Sequence, residues 1–102
     1  MQKYASYAYT AAVAVTFDPE KDAANLAKHG VSLAEGDGVL NDPLALTVED
    51  TSVRGERRFV TVGLNSFGTL IVVVWTPRGD ETRMISARRA EPKERRTYEE
   101  GV

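Results

Sequence analysis

Leu70-Ile71-Val72-Val73-Val74-Trp75 is a nearly unbroken apolar run, and it decides how the rest of the chain is arranged. A run of this kind is typical of a strand buried on both faces, which places it at the centre of a sheet. Residues 57–64 and 82–87 read as its neighbouring strands. Turns at 65–68 and 77–80 connect the three, so they form an antiparallel meander.

Two more strands are predicted further toward the N-terminus. Leu44, Leu46 and Val48 alternate with smaller side chains, which indicates a strand with one buried face. The same period runs from Tyr7 to Phe17 and predicts a first strand at about residues 7–17. We therefore expect an antiparallel sheet of about five strands.

Helix signals lie before and after these strands. Asp18 can cap a helix that has Pro19 in its first turn, and Gly30 supplies the left-handed residue that ends it. Ser32 and Glu35 have capping-box spacing, which predicts a short second helix over residues 33–39, weakened by its two glycines. Pro92 opens a last, highly charged helix. The fold class is therefore α+β, with two N-terminal helices and one C-terminal helix.

Length and composition limit the classes of protein that fit. A chain of 102 residues suits one domain, residues 1–102, in which about 1–10 form a leader or an extra strand. The absence of cysteine excludes disulfides and thiolate metal sites, and we expect no metal and no cofactor. No apolar stretch is long enough for a membrane span. The alternation in residues 7–17 favours a strand over a signal peptide, so we expect a cytoplasmic protein.

Charge is distributed unevenly along the chain. Residues 1–51 hold 3 basic and 8 acidic side chains, whereas residues 52–102 hold 10 basic and 7 acidic ones. A basic pole can bind an anion or an acidic protein partner even though the net charge is −2.

The most basic stretch runs from Arg83 to Tyr98 and contains five arginines and a lysine. Because the planar guanidinium donates hydrogen bonds in pairs to phosphate, the stretch is interpreted as part of a nucleic-acid site. A solvated edge strand followed by a solvated helix is the alternative interpretation.

RNA cleavage by attack of a 2′-hydroxyl requires cations near the phosphate and groups that move protons. Arg58, Arg78, Arg83 and Arg88 come from successive strands and a hairpin, so a meander can bring them to one patch. Arg83 and Arg88 differ in strand parity, and they share a face only if a bulge or a strand end intervenes.

Other candidates carry a functional and a structural interpretation each. Glu56 is either a base or a neutralising partner of Arg58, and His29 is either an acid or base or a helix-end cation. Phe67, at a hairpin tip, can stack an unpaired base. Tyr98 can stack, donate a proton or hold the last helix to the sheet.

Several blocks occur in one order that resembles the BrnT family of bacterial toxins, over about residues 15–100. They are Phe17-Asp18-Pro19-Glu20-Lys21, Asn25-Leu26, Lys28-His29-Gly30-Val31, Asp42-Pro43, Arg58-Phe59-Val60, Gly63, residues 70–74, Arg83, Ile85-Ser86-Ala87-Arg88-Arg89, Glu94-Arg95 and Tyr98-Glu99.

The resemblance implies a RelE-like fold and a metal-independent endoribonuclease of a type II toxin–antitoxin system that inhibits translation. It implies an RNA substrate and a BrnA-like ribbon-helix-helix antitoxin, through which alone the toxin reaches operator DNA. The cations carried over by motif are Lys28, His29, Arg58, Arg83 and Arg88. A non-catalytic module that binds an antitoxin or a nucleic acid is the alternative hypothesis.

Overall fold

The computed structural model describes residues 13–101. They form one five-stranded sheet and three α-helices, with a 3₁₀ turn before the second helix. The strands are β1 (Val15–Thr16), β2 (Leu46–Asp50), β3 (Arg58–Leu64), β4 (Leu70–Arg78) and β5 (Glu81–Arg89). The helices are α1 (Pro19–His29), α2 (Gly36–Leu40) and α3 (Pro92–Glu100), and the 3₁₀ turn spans Leu33–Glu35.

The order of strands in the sheet is β1-β5-β4-β3-β2. Strands β2 to β5 are an antiparallel meander, as predicted, and the apolar run of β4 lies at the centre. The expectation of a wholly antiparallel sheet is wrong, because β1 pairs with β5 in parallel. Since β1 comes first in the chain and joins the far edge, its direction is set by the route of the chain and not by a hairpin.

The predicted first strand, 7–17, falls partly outside the described residues. Within the described part, only Val15 and Thr16 are in a strand. The strand predicted from Leu44 begins two residues later, because Leu44 and Ala45 donate backbone hydrogen bonds to Asp42 and remain in the turn.

One face of the sheet holds the main core. Ile71 and Val73 of β4 and Met84 and Ala87 of β5 are fully buried against the helical layer. That layer contributes Val31, Leu33 and Val39 to the same cluster. Trp75 borders the core, stacks on Phe59 with 4.8 Å between ring centroids, and donates to the Thr61 hydroxyl.

Helix α1 has the bounds that its local signals predict. The Asp18 carboxylate accepts the Glu20 amide at 2.8 Å, and Gly30 ends the helix with φ of 72°. The buried Asn25 side chain donates to the carbonyls of Val31 and Ala87 and accepts the Ala87 amide. Beyond the end of β1, the Asn25 side chain thus forms the backbone hydrogen bonds that a strand would form with this edge of β5.

The second helical segment approaches the sheet closely. The capping box predicted from Ser32 and Glu35 is present and opens the 3₁₀ turn. Helix α2 follows through Gly36 and Gly38, where a Cβ atom would overlap Met84 and the Ser66 backbone, respectively. The glycines that weaken the helix locally are therefore the residues that let it pack.

Helix α3 lies over the opposite face of the sheet, beside Val60, Val62 and Val72. It buries none of its own residues. Two side-chain contacts hold it, one between Glu94 and Arg88 and one between Tyr98 and Asp42. Of the helices in residues 13–101, none has the length and apolar character needed to cross a bilayer.

Candidate functional site

A bulge in β5 brings its arginines to one face of the sheet. Met84 is opposite Trp75 and Ser86 is opposite Val74, so Ile85 has no partner across the strand pair. The extra residue reverses the parity that the sequence suggested. Arg83, opposite Thr76, and Arg88, opposite Val72, therefore point to the same side.

Arg58 joins this face from β3, on the other side of β4. Phe59 is opposite Trp75 in the β3–β4 register, which makes Arg58 level with Thr76. Arg83 is level with Thr76 from the other side. The two arginines therefore flank one buried threonine in a row across three strands.

These side chains line a pocket of about 150 Å³ at this end of the sheet. Its walls combine the meander with the start of α1, and we call it the arginine pocket. The lining residues are Asp18, Lys21, Glu56, Arg58, Arg78, Arg83, Met84 and Ile85. Four cations and two carboxylates thus face one small space, which favours an anionic ligand.

One carboxylate in the pocket is already paired. Arg78 Nε donates to Glu56 Oε2 at 2.8 Å. This hydrogen bond is the main cause that lowers the pKa of Glu56, and the charges of Arg78, Arg58 and Lys21 add to it. Glu56 is therefore ionised near neutral pH and can accept a proton.

Arg58 and Arg83 have unused hydrogen-bonding capacity. The Nε atom of each is buried and has no hydrogen-bond partner among the described residues. The one ion pair of Arg83 within residues 13–101 is with Glu81, at a long N–O distance of 3.8 Å. Unpaired buried donors are uncommon in native proteins and mark a place where a ligand can complete the bonding.

The other predicted site residues lie elsewhere. Arg88 is outside the pocket lining and makes a two-pronged ion pair with Glu94, at 2.8 and 2.6 Å. Lys28 and His29 lie at the end of α1, beside a second pocket. Phe67 is 81% exposed at its hairpin tip. Tyr98 donates to Asp42, which raises the pKa of the tyrosine.

Sequence reasoning did not select Lys21 or Asp18 for this site. Both belong to the opening block of α1, where they read as helix-start residues. Their place in the arginine pocket follows from the parallel pairing of β1 with β5, which brings the start of α1 beside Arg83. The only sequence feature that could have indicated Asp18 and Lys21 as site residues is their place in the block Phe17–Lys21, which is part of the family resemblance.

The fold and the pocket define a small α+β protein with a cation-rich pocket at one end of a mixed sheet. The sequence profile described as "Ribonuclease toxin, BrnT, of type II toxin-antitoxin system" matches residues 17–94. The chain belongs to this family of ribonuclease toxins, as its motifs indicated. Membership of a type II system implies an antitoxin partner and an RNA target.

The structure is similar to a crystal structure of the BrnT ribonuclease toxin of Brucella abortus, determined at 1.1 Å resolution. The two chains are 26% identical and superpose with a TM-score of 0.61. The match covers 78% of this chain and 97% of the Brucella chain. Among curated proteins, no sequence is significantly similar to this chain.

Proposed function

We propose that this protein is a metal-independent endoribonuclease whose reaction takes place in the arginine pocket. The observation that carries the proposal is the convergence of Arg58 and Arg83, with unpaired buried Nε atoms, beside the ionised Glu56. Family membership supports RNA as the substrate class.

In the proposed reaction, the 2′-oxygen of a ribose attacks the adjacent phosphorus and the bond to the 5′-oxygen breaks. Glu56 accepts the proton of the 2′-hydroxyl. Arg58 and Arg83 donate to the non-bridging oxygens, where negative charge accumulates. Lys21 supplies a proton to the departing 5′-oxygen. The products are a 2′,3′-cyclic phosphate and a 5′-hydroxyl, and no water is consumed.

The remaining features are part of the same proposal. The cations of the pocket supply the charge stabilisation that a metal ion supplies in other nucleases. Cleavage of cellular RNA inhibits translation in the cytoplasm, and a BrnA-like ribbon-helix-helix antitoxin neutralises the toxin and connects it to operator DNA. The family resemblance also supports a RelE-like classification of the fold.

The test compares variants of neighbouring arginines. Arg58→Gln and Arg83→Gln each remove a phosphate donor, and we expect cleavage of single-stranded RNA in EDTA to fall by about 100-fold or more. Arg57→Gln is the matched control, because Arg57 is exposed, pairs with Glu49 and lies outside the pocket. Circular dichroism checks that each variant is folded.

Two results would overturn the proposal. One is an unmodified protein that leaves RNA intact in EDTA and does not slow growth when it is expressed without an antitoxin. The other is equal cleavage by the Arg57, Arg58 and Arg83 variants. Tight binding of an acidic protein partner without cleavage would instead favour a non-catalytic module.

A further inference from the structure

A second pocket adjoins the arginine pocket along α1. Its volume is about 320 Å³. Lys21 and Ile85 line both spaces, so the two pockets lie side by side, and we call them together the groove. At the far end of this groove, the second pocket is bordered by Lys28 and His29.

The floor of the groove is a short gap in the pairing of β5. On the outer side of this strand, β1 pairs only with Thr82 and Arg83. Further along, the Asn25 side chain donates to the carbonyl of Ala87 and accepts its amide. Between these contacts, residues 84–86 have no strand neighbour on that side within the described chain, and Ile85 and Ser86 form the floor of the second pocket. The bulge at Ile85 is therefore also a structural element of the groove.

The charge of the second pocket has one sign. Among the described residues that line it, Lys21 and Lys28 are cations, His29 offers an imidazole N–H, and none is a carboxylate. Lys21 and Lys28 are seven residues apart on α1, which is two helical turns, so they lie on one face at a separation of about 10 Å. Two cations along a groove that begins at the arginine pocket suit the repeating negative charge of a nucleic-acid backbone.

We propose that this groove is a flanking-nucleotide subsite for single-stranded RNA, in which Lys28 and an imidazole N–H of His29 bind the phosphate next to the scissile one. The inference rests on the proposed function of the arginine pocket. Ala24 and Ile85 provide apolar surface for the ribose or base between the two phosphates. His29 is thereby a binding residue and not the group that moves a proton.

Binding of RNA that cannot be cut separates this subsite from catalysis. The probe is a single-stranded RNA of mixed sequence, 2′-O-methylated at every position, titrated from about 50 to about 200 mM salt. We expect Lys28→Gln to weaken binding about fivefold and to lower the salt slope by about 0.7, the value for one lost phosphate contact on a single strand. Arg57→Gln is the control that should retain both values.

Cleavage of substrates of different length is the second measurement. The ratio of kcat/KM for an oligonucleotide to that for a dinucleotide should fall in Lys28→Gln and His29→Gln, because only the longer substrate reaches the second pocket. Lys28 is exposed, so its substitution tests the proposal even if His29→Gln disturbs the end of the helix.

The possible results are distinguishable. If the unmodified protein neither binds nor cuts RNA, the proposed function itself is wrong. If it binds and cuts RNA while Lys28→Gln keeps the salt slope and the length preference of the unmodified protein, only the flanking subsite is overturned.

Discussion

Two glycines in α2 occupy positions where a single methyl group decides the packing. At Gly36, a Cβ atom would lie 2.6 Å from the Met84 Cε atom. At Gly38, it would lie 2.5 Å from the backbone nitrogen of Ser66. A methionine end can move aside, whereas a backbone atom in a tight hairpin cannot.

The two alanine variants are therefore expected to differ. Gly38→Ala should lower the free energy of unfolding by about 1–3 kcal/mol, as overpacking does elsewhere. Gly36→Ala should cost less, because Met84 can adjust and alanine gains about 1 kcal/mol of helix propensity over glycine. Urea denaturation measures both, and equal losses would contradict the distinction between side-chain and backbone contacts.

Residue pairs that are distant in the sequence set the limit of prediction at this scale. The caps of α1 were predictable because Asp18, Pro19 and Gly30 act on their own helix. The pair between Glu56 and Arg78 was not predictable, because 22 positions separate the two residues and the chain offers several other arginines to a glutamate. The sequence suggests Arg58, two residues further on, as the partner that Glu56 neutralises, but Glu56 lies before β3 begins and pairs with Arg78.

At the scale of elements, α3 depends on side-chain contacts more than on an apolar face. The Glu94 carboxylate accepts hydrogen bonds from the Arg88 guanidinium, and the Tyr98 hydroxyl donates to Asp42 at 2.6 Å. Asp42 also accepts the backbone amides of Leu64 and Leu44. The helix is thus attached at two points over the valines of the sheet.

Removing both attachments should release the helix and leave the sheet intact. We expect Arg88→Gln combined with Tyr98→Phe to speed amide hydrogen exchange by about tenfold or more in residues 92–100, which then open locally. Amides of β4 and β5 serve as the internal reference. Unchanged exchange in α3 would mean that contacts of its backbone and apolar atoms hold it without these side chains.

The elements themselves differ in how far the sequence predicts them. The meander follows from local turns and apolar periodicity, and the starts of α1 and α3 follow from their cap and proline residues. The helix predicted over residues 33–39 is instead a 3₁₀ turn followed by α2. The parallel pairing of β1 depends on a partner near the other end of the chain, so no local pattern specifies it. The bulge at Ile85 cannot be predicted locally either, because a strand with one unpaired residue has the same kinds of residues as a regular strand. Both features lie at the arginine pocket.

For the whole molecule, the charge of the pocket predicts how activity depends on pH. The hydrogen bond from Arg78 lowers the pKa of Glu56 from its ordinary value of 4.5. The base therefore remains ionised until the pH falls below that value, and the acid limb of kcat/KM should lie at or below it. Arg78→Gln should move the limb to higher pH, and Glu56→Gln should abolish it. A limb that does not move in Arg78→Gln would exclude Glu56 as the base.

Stability changes over the same pH range and has to be followed alongside activity. Burial raises the pKa of Asp42, but hydrogen bonds from Leu64, Tyr98 and Leu44 outweigh it and lower the value. The Arg88 hydrogen bond likewise lowers the pKa of Glu94. Carboxylates of this kind stabilise the fold above their unfolded pKa, and this contribution is lost as the pH falls through the folded value. Fluorescence of Trp75 reports whether the protein is still folded at each pH.

The bond between Asn25 and Ala87 spans 62 positions, and β1 reaches β5 across a similar length of chain. During synthesis, the start of α1 leaves the ribosome long before the strand that it must meet. The meander contains only neighbouring strands, whereas the N-terminal segment needs β5 as its partner and can close on the sheet only after β5 has been made. Lys21 therefore joins Arg58 and Arg83 only once translation has passed β5, so an unfinished nascent chain has no complete arginine pocket.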